Sequence, residues 1–188
     1  MKIPGMIMIG GTARHAGKTS LACKMLYSFT QNEPITAIKV TPEDNPCYAV
    51  NPAWGKILLA DTANGIYLTE DTTVDPEKDT ARLREAGAHH VWWLHCSRAS
   101  LPEAAGFLKK QLRPGTVSVC ESTSLRAVIE PDLFILIHQA GSRQTKSSAD
   151  MLQNHADLVV EYDSGIFRPD IDYITLIDGI WQLHPETA

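Results

Sequence analysis

A short apolar run, Met6-Ile7-Met8-Ile9, leads straight into Gly10-Gly11-Thr12-Ala13-Arg14-His15-Ala16-Gly17-Lys18-Thr19-Ser20, and a helix-compatible stretch follows over residues 21–29. A strand, a glycine-bearing turn and Gly-Lys-Thr opening a helix form the local order of a phosphate-binding loop, which constrains the fold more than any other stretch. Each part has a physical reason. The glycines permit a tight turn and a close backbone approach to an anion. The turn amides and the helix N-terminus point at that anion, and the helix dipole favours its charge. Lys18 supplies a mobile cation for terminal phosphates, and the Thr19 hydroxyl is a candidate Mg²⁺ ligand. The strict pattern asks for Gly where Thr12 stands, and Gly11 lies one residue earlier, so the loop reads Gly-Thr-x4-Gly-Lys-Thr. The expected nucleotide contacts are therefore Gly11, Thr12, Ala13, Arg14, His15, Ala16, Gly17, Lys18, Thr19 and Ser20. The plainer alternative, a Gly-rich turn before an ordinary helix, does not explain why Lys-Thr falls in register behind an apolar strand.

The rest of the chain alternates strand and helix signals. Leu21, Ala22, Met25, Leu26 and Phe29 recur at helical spacing, which predicts a helix over residues 18–29 that Asn32-Glu33-Pro34 breaks. Residues 35–40 read as the second strand. Residues 42–75 are the least regular part, with Pro42, Pro46, Pro52, Gly55 and Gly65. They allow a short helix at 53–60 and a short strand at 66–69. Such an insertion is either a place where a second substrate meets the protein or a poorly ordered surface loop. Asp75-Pro76-Glu77 has helix-start chemistry, and the helix it opens should run to Ala86 and stop at Gly87. A strand at 90–94, a helix at 101–112, a strand at 116–120, one or two helical turns at 124–129 and a fully buried strand at 132–137 follow. A helix at 146–155, a strand at 157–161 and a hairpin around Asp178-Gly179 complete the expectation. The fold class is α/β: a mainly parallel sheet flanked by helices, a P-loop NTPase fold with a C-terminal β-hairpin, in one domain over residues 1–188.

Composition narrows the function classes. A chain of 188 residues with 44% hydrophobic and 21% charged residues has the profile of an ordinary globular protein. The net charge is −5 without a Lys/Arg run, which argues against a nucleic-acid or anionic-membrane partner. The N-terminal apolar run is too short for a signal peptide or a membrane span, so the expected location is cytoplasmic. Cys23, Cys47, Cys96 and Cys120 form no Cys-x-x-Cys pair; Cys23 and Cys120 read as core, and Cys47 lies in a loop.

Ligands of parallel α/β sheets bind at the carboxyl ends of the strands. Lys18 and Thr19, Lys39 and Thr41, His95, Glu121 and Ser122, and His138 and Gln139 all fall at such ends. Glu121, where an apolar strand runs into a carboxylate, is the candidate metal residue beside Thr19; the alternative is a solvated strand end. Lys39 either stabilises charge on a terminal phosphate or substrate anion, or is a surface Lys. Thr41, Glu43 and Asp44 are possible neighbours of that cation. Arg14 and His15 either reach phosphate or face solvent. His89, His90 and His95 have no zinc spacing. Thr145-Lys146-Ser147-Ser148 carries Ser where a guanine-binding signature has Asp, so the base is left open between ATP and GTP.

The Gly-Thr-x4-Gly-Lys-Thr loop looks like the variant loop of dethiobiotin synthetase and related ligases. Taken with Ile38-Lys39, Pro76-Glu77-Lys78-Asp79-Thr80, Arg82, Arg84, Ala86-Gly87-Ala88 and Glu121, in that order, the chain resembles the molybdopterin-guanine dinucleotide biosynthesis protein B family over roughly residues 5–140. The resemblance implies Mg²⁺ and GTP or ATP as cofactors, slow hydrolysis, a homodimer, and assistance in attaching a nucleotide to molybdopterin. It places Lys78, Asp79 and Arg82 at the border of the site. The family's His-rich run after Ile-Lys is replaced here by Val40-Thr41-Pro42-Glu43, and Glu121 is followed by Ser122-Thr123 instead of Gly and an aromatic residue.

The expected function is Mg-dependent NTP binding with cleavage of the β–γ phosphate bond. Lys18, Lys39 and Glu121 are the catalytic candidates, and Thr19 and Glu121 hold the metal. Three roles stay open. The first is an accessory NTPase of molybdenum-cofactor guanylylation, working with a cofactor-biosynthesis protein. The second is a small-molecule kinase or ATP-dependent ligase. The third is a nucleotide-gated binding module without chemistry.

Overall fold

β1 (Met6–Gly11) is the axis of the molecule, and its residues are buried on both faces until the glycines. In the computed structural model, which describes residues 1–43, 55–141 and 152–184, β1 sits inside a nine-stranded sheet. The remaining strands are β2 (Ile35–Glu43), β3 (Gly55–Asp61), β4 (Ile66–Asp71), β5 (His90–Ser97), β6 (Val117–Glu121), β7 (Leu133–Gln139), β8 (Leu158–Asp163) and β9 (Ile166–Arg168). The sheet order is β3-β4-β5-β2-β6-β1-β7-β8-β9. The strands from β5 through β2, β6, β1 and β7 to β8 run parallel. β3 and β4 extend one edge antiparallel, and β9 does the same at the other edge. The protein is thus α/β with a large, mostly parallel mixed sheet.

Alternation along the strands divides the core into two layers. Ile7 and Ile9 of β1, Ala37 of β2, Val119 of β6 and Ile135 and Ile137 of β7 face α1 (Lys18–Phe29) and α2 (Asp79–Glu85). Met8, Ile38, Cys120, Phe134 and Leu136 face the other way, towards α3 (Leu101–Gln111). α1 places Leu21, Met25 and Leu26 in the first layer, and each such buried side chain is worth about 1.5–3 kcal/mol. α1 has the span that its apolar spacing predicts.

Two local expectations need correction. The stretch from Gly55 is not helical: it forms strand β3, which pairs with β4 around a tight turn at residues 62–65. Leu58 and Leu59 pack onto the α3 layer from this edge, so tertiary pairing overrides a weak helical spacing. Much of the stretch taken for an irregular insertion is therefore ordered sheet. α2 begins at Asp79, later than Asp75-Pro76-Glu77 suggested. Asp75 instead closes a turn, its Oδ1 accepting from Glu77 N at 3.1 Å and its carbonyl from Lys78 N at 3.0 Å. Residues 124–129 hold one helical turn, the 3-10 turn Ser124–Ala127, within the one or two expected. β9 was not foreseen. Asp44, Cys47, the helix start at 53–54, most of the 146–155 helix and the Thr145–Ser148 near-signature lie outside the described residues.

β10 (Ile174–Ile177) and β11 (Ile180–Leu183) pair antiparallel around Asp178 and Gly179, both at positive φ. Trp181, 1% exposed, anchors this pair. It packs edge-on to Phe29 at 5.0 Å, and its indole Nε1–H donates to the Gly5 carbonyl at 3.2 Å. No helix among the described residues is long and apolar enough to cross a membrane.

Candidate functional site: a cationic cleft at the carboxyl edge of the sheet

The site follows from strand alternation. Ala37 faces the α1 layer, so Lys39, two residues on, faces it too; Val119 places Glu121 on the same side. Lys39 and Glu121 are register partners across β2 and β6, and Ile9 is the partner of Glu121 across β6 and β1. Both charged groups therefore emerge under the N-terminus of α1.

Glu121 is 3% exposed, and each of its oxygens has one partner. Its Oε2 accepts from the Thr19 hydroxyl at 2.9 Å, and its Oε1 from Lys39 Nζ at 2.6 Å. Lys39 also bonds Asp79 Oδ2 at 2.5 Å, so the ammonium is clamped between two carboxylates. Burial alone would lower the Lys39 pKa, but the neighbouring Glu121 charge and the two hydrogen bonds outweigh it, and the net shift is upward. Asp79 moves the other way. Burial would raise it, yet the hydrogen bond and charge of Lys39 hold it below the ordinary carboxylate value. The Lys18 pKa is lowered, first by burial, with Glu121 opposing and Lys39 assisting. Its ammonium donates to the Ala13 carbonyl at 3.3 Å, folding the side chain back across the loop.

The loop is braced at both ends. The Thr123 hydroxyl accepts from Gly11 N at 2.9 Å and donates to Gly11 O at 3.2 Å, and Thr12 N donates to the Ile137 carbonyl at 3.0 Å. At the far end Gly17 has φ +94°, and a methyl group there would stand 2.6 Å from Cγ of Tyr162. Both facts require glycine. The first intrahelical bond of α1 is Leu21 N to Gly17 O, and no side chain caps the helix. The amides of Lys18, Thr19 and Ser20 therefore keep their donors for an anion.

Gly17, Lys18, Thr19, Lys39, Asp79, Glu121 and Tyr162 line one cleft of about 460 Å³, with Arg14, His15, Ala16, Ser20 and Arg82 beside them. Arg82 reaches the Ser20 hydroxyl at 3.4 Å. Among the described residues no group of three or more His, Cys, Asp and Glu sits together as a metal centre. Magnesium does not need one, because it takes one or two protein oxygens and completes its shell with phosphate and water. The adjoining Thr19 and Glu121 oxygens fit that demand, as the uncapped amides fit a phosphate chain.

Of the expected site residues, the structure brings Lys18, Thr19, Ser20, Arg14, His15, Lys39 and Glu121 to one cleft, with Asp79 and Arg82. Ala16 and Gly17 line it as well, whereas Gly11, Thr12, Ala13 and Lys78 are not among its lining residues. His95 does not end β5, which continues to Ser97; it is buried, 6% exposed, with its ring 3.9 Å from that of Trp93. The Thr41 hydroxyl accepts from Trp93 Nε1 at 3.0 Å. Ser122 caps the 3-10 turn by accepting from Leu125 N, and His138 and Gln139 line a different pocket with Arg168. His90 pairs with Glu70 at 2.5 Å at the opposite end of β5. Cys120 is core, as read, but Cys23 is only partly buried, its thiol 3.6 Å from the Arg82 carbonyl.

Thr123 and Tyr162 were missed. Nothing in the local sequence marks Thr123 as a loop brace. Tyr162 stands near the carboxyl end of β8, the same kind of position that marks Lys39 and Glu121. The chain matches no family model, no curated protein and no solved structure.

Proposed function

We propose that this chain is a P-loop protein that binds a nucleoside triphosphate with Mg²⁺ in the cleft at Gly11–Ser20 and promotes cleavage of its β–γ bond. The observation that carries this reading is the convergence of Lys18, Thr19, Lys39 and Glu121 beneath an uncapped helix N-terminus. The loop amides and Lys18 bind the phosphates. Thr19 and Glu121 hold the metal, which when bound supplies charge neutralisation to the phosphate oxygens. Lys39, already fixed by two carboxylates, meets negative charge that grows during transfer without reorganising first. Asp79 and Arg82 continue the wall beyond Lys39. A second polar substrate would find a carboxylate and a guanidinium there, which favours a kinase or ligase over a pure binding module. An accessory role in cofactor maturation needs a partner protein in addition.

Titration calorimetry with Mg-ATP and Mg-GTP tests the reading. Wild type binds one or both, and Lys18→Ala weakens binding by about tenfold or more, equivalent to at least ~1.4 kcal/mol. Equal affinity of the two proteins would refute it.

A further inference from the structure

The charged groups give the cleft a direction. Lys39, Glu121 and Asp79 lie on β2, β6 and α2, to one side of β1. On the other side of β1 come β7 and then β8, and there the cleft wall is Tyr162. The cations and the metal ligands mark the end that takes the terminal phosphates. A triphosphate lying along the loop must therefore point its nucleoside towards β7 and β8.

Resting on the nucleotide reading above, we propose that Tyr162 is the contact for the nucleoside moiety. Among the described residues lining the cleft it is the one aromatic hydrocarbon ring. Its place is fixed on three sides. Its backbone pairs with Gln139 of β7 and Phe167 of β9. Its carbonyl accepts from Ala140 N at 2.9 Å. Its ring lies 5.0 Å from that of Phe167 and directly against Gly17. It shares the α1 face of the sheet with Val160, two residues earlier. The ring is thus held at the turn where the phosphate cradle ends, partly buried and lining the cleft. Aromatic surface at that point gains nothing from phosphate and much from a base or sugar. A π-face accepts any base, so Tyr162 raises affinity for the nucleoside without choosing between adenine and guanine.

The experiment compares Mg-ATP and Mg-GTP with Mg-tripolyphosphate, which has the phosphate chain and no nucleoside. Binding is measured by calorimetry for wild type, Tyr162→Ala and Tyr162→Phe. The expected result for Tyr162→Ala is a loss of about ten- to a hundredfold in nucleotide affinity. Tripolyphosphate affinity stays within about twofold, which also reports an intact loop. Tyr162→Phe binds nucleotide as wild type does. If Tyr162→Ala weakens tripolyphosphate as much as nucleotide, the ring only braces Gly17 and the inference is overturned. If nucleotide affinity is unchanged in Tyr162→Ala, or wild type binds tripolyphosphate as tightly as nucleotide, no nucleoside contact exists at Tyr162. Wild type that binds neither ligand overturns the nucleotide reading itself.

Discussion

Replacing Lys39 with Met separates a buried ion pair from an exposed one in a single cluster. The Lys39 side chain is 17% exposed and touches two carboxylates of very different burial: Glu121 at 3% and Asp79 at 39%. Removing one partner of a buried pair costs about 3–5 kcal/mol, because the remaining charge is stranded without solvent. An exposed pair contributes only about 0–1 kcal/mol. Lys39→Met strands Glu121, with the Thr19 hydroxyl at 2.9 Å and Lys18 nearby as partial relief. The expected cost is therefore at the lower end, about 3 kcal/mol. Asp79→Asn weakens the contact with Lys39 and the 3.9 Å pair with Arg82, both on an exposed carboxylate, and should cost less than about 1 kcal/mol. The double variant Lys39→Met/Glu121→Gln removes both charges and should recover much of the single-variant loss. Urea denaturation of the four proteins at pH 7 measures these differences. The pH dependence adds a sign. The pKa of Lys39 is raised in the folded state, so its stabilisation is complete below about pH 10.5 and fades as pH rises through the folded value. Asp79, lowered, loses its smaller share only as pH falls below about 4. If Asp79→Asn costs as much as Lys39→Met, or Lys39→Met costs under about 1 kcal/mol, the burial argument fails.

Two further predictions concern single positions. Gly17→Ala combines a positive φ with a close approach to Tyr162, so it should cost more than about 1 kcal/mol in urea denaturation and abolish nucleotide binding; a neutral effect would mean that the loop reshapes freely. Burial lowers the pKa of His95 to about 4, with Glu43 and Asp71 opposing. Its stabilisation is present above the unfolded value near 6.5 and is lost as pH falls towards 4, with a total of order 3 kcal/mol. NMR titration of the imidazole checks this, and a midpoint near 6.5 would contradict it.

Local sequence made the loop legible because its chemistry is local. A glycine-bearing turn between an apolar strand and Lys-Thr needs no distant contact to be recognised, and α1 adopts the expected span for the same reason: Leu21, Met25 and Leu26 fall on one helical face. Glu121 and Lys39 were legible as strand ends. Their contact was not, since it depends on β2 and β6 lying side by side in register, although 82 positions separate the two residues. The same limit hid Thr123, whose hydroxyl meets Gly11 across 112 positions. It also hides the strand at residues 55–60, where a weak helical spacing loses to pairing with β4.

Local patterning alone is enough to show that a glycine-bearing turn opens the first helix, that strands and helices alternate, and that polar groups gather where apolar strands end. The order of the strands, and with it the direction of the cleft, belongs to the folded sheet as a whole. β2 and β6 carry the charges to one side of β1, and β8 carries Tyr162 to the other. Hydrophobic spacing records which face of each element is buried. It carries no record of which strand lies beside which, because that is chosen by the summed packing and hydrogen bonding of the whole sheet.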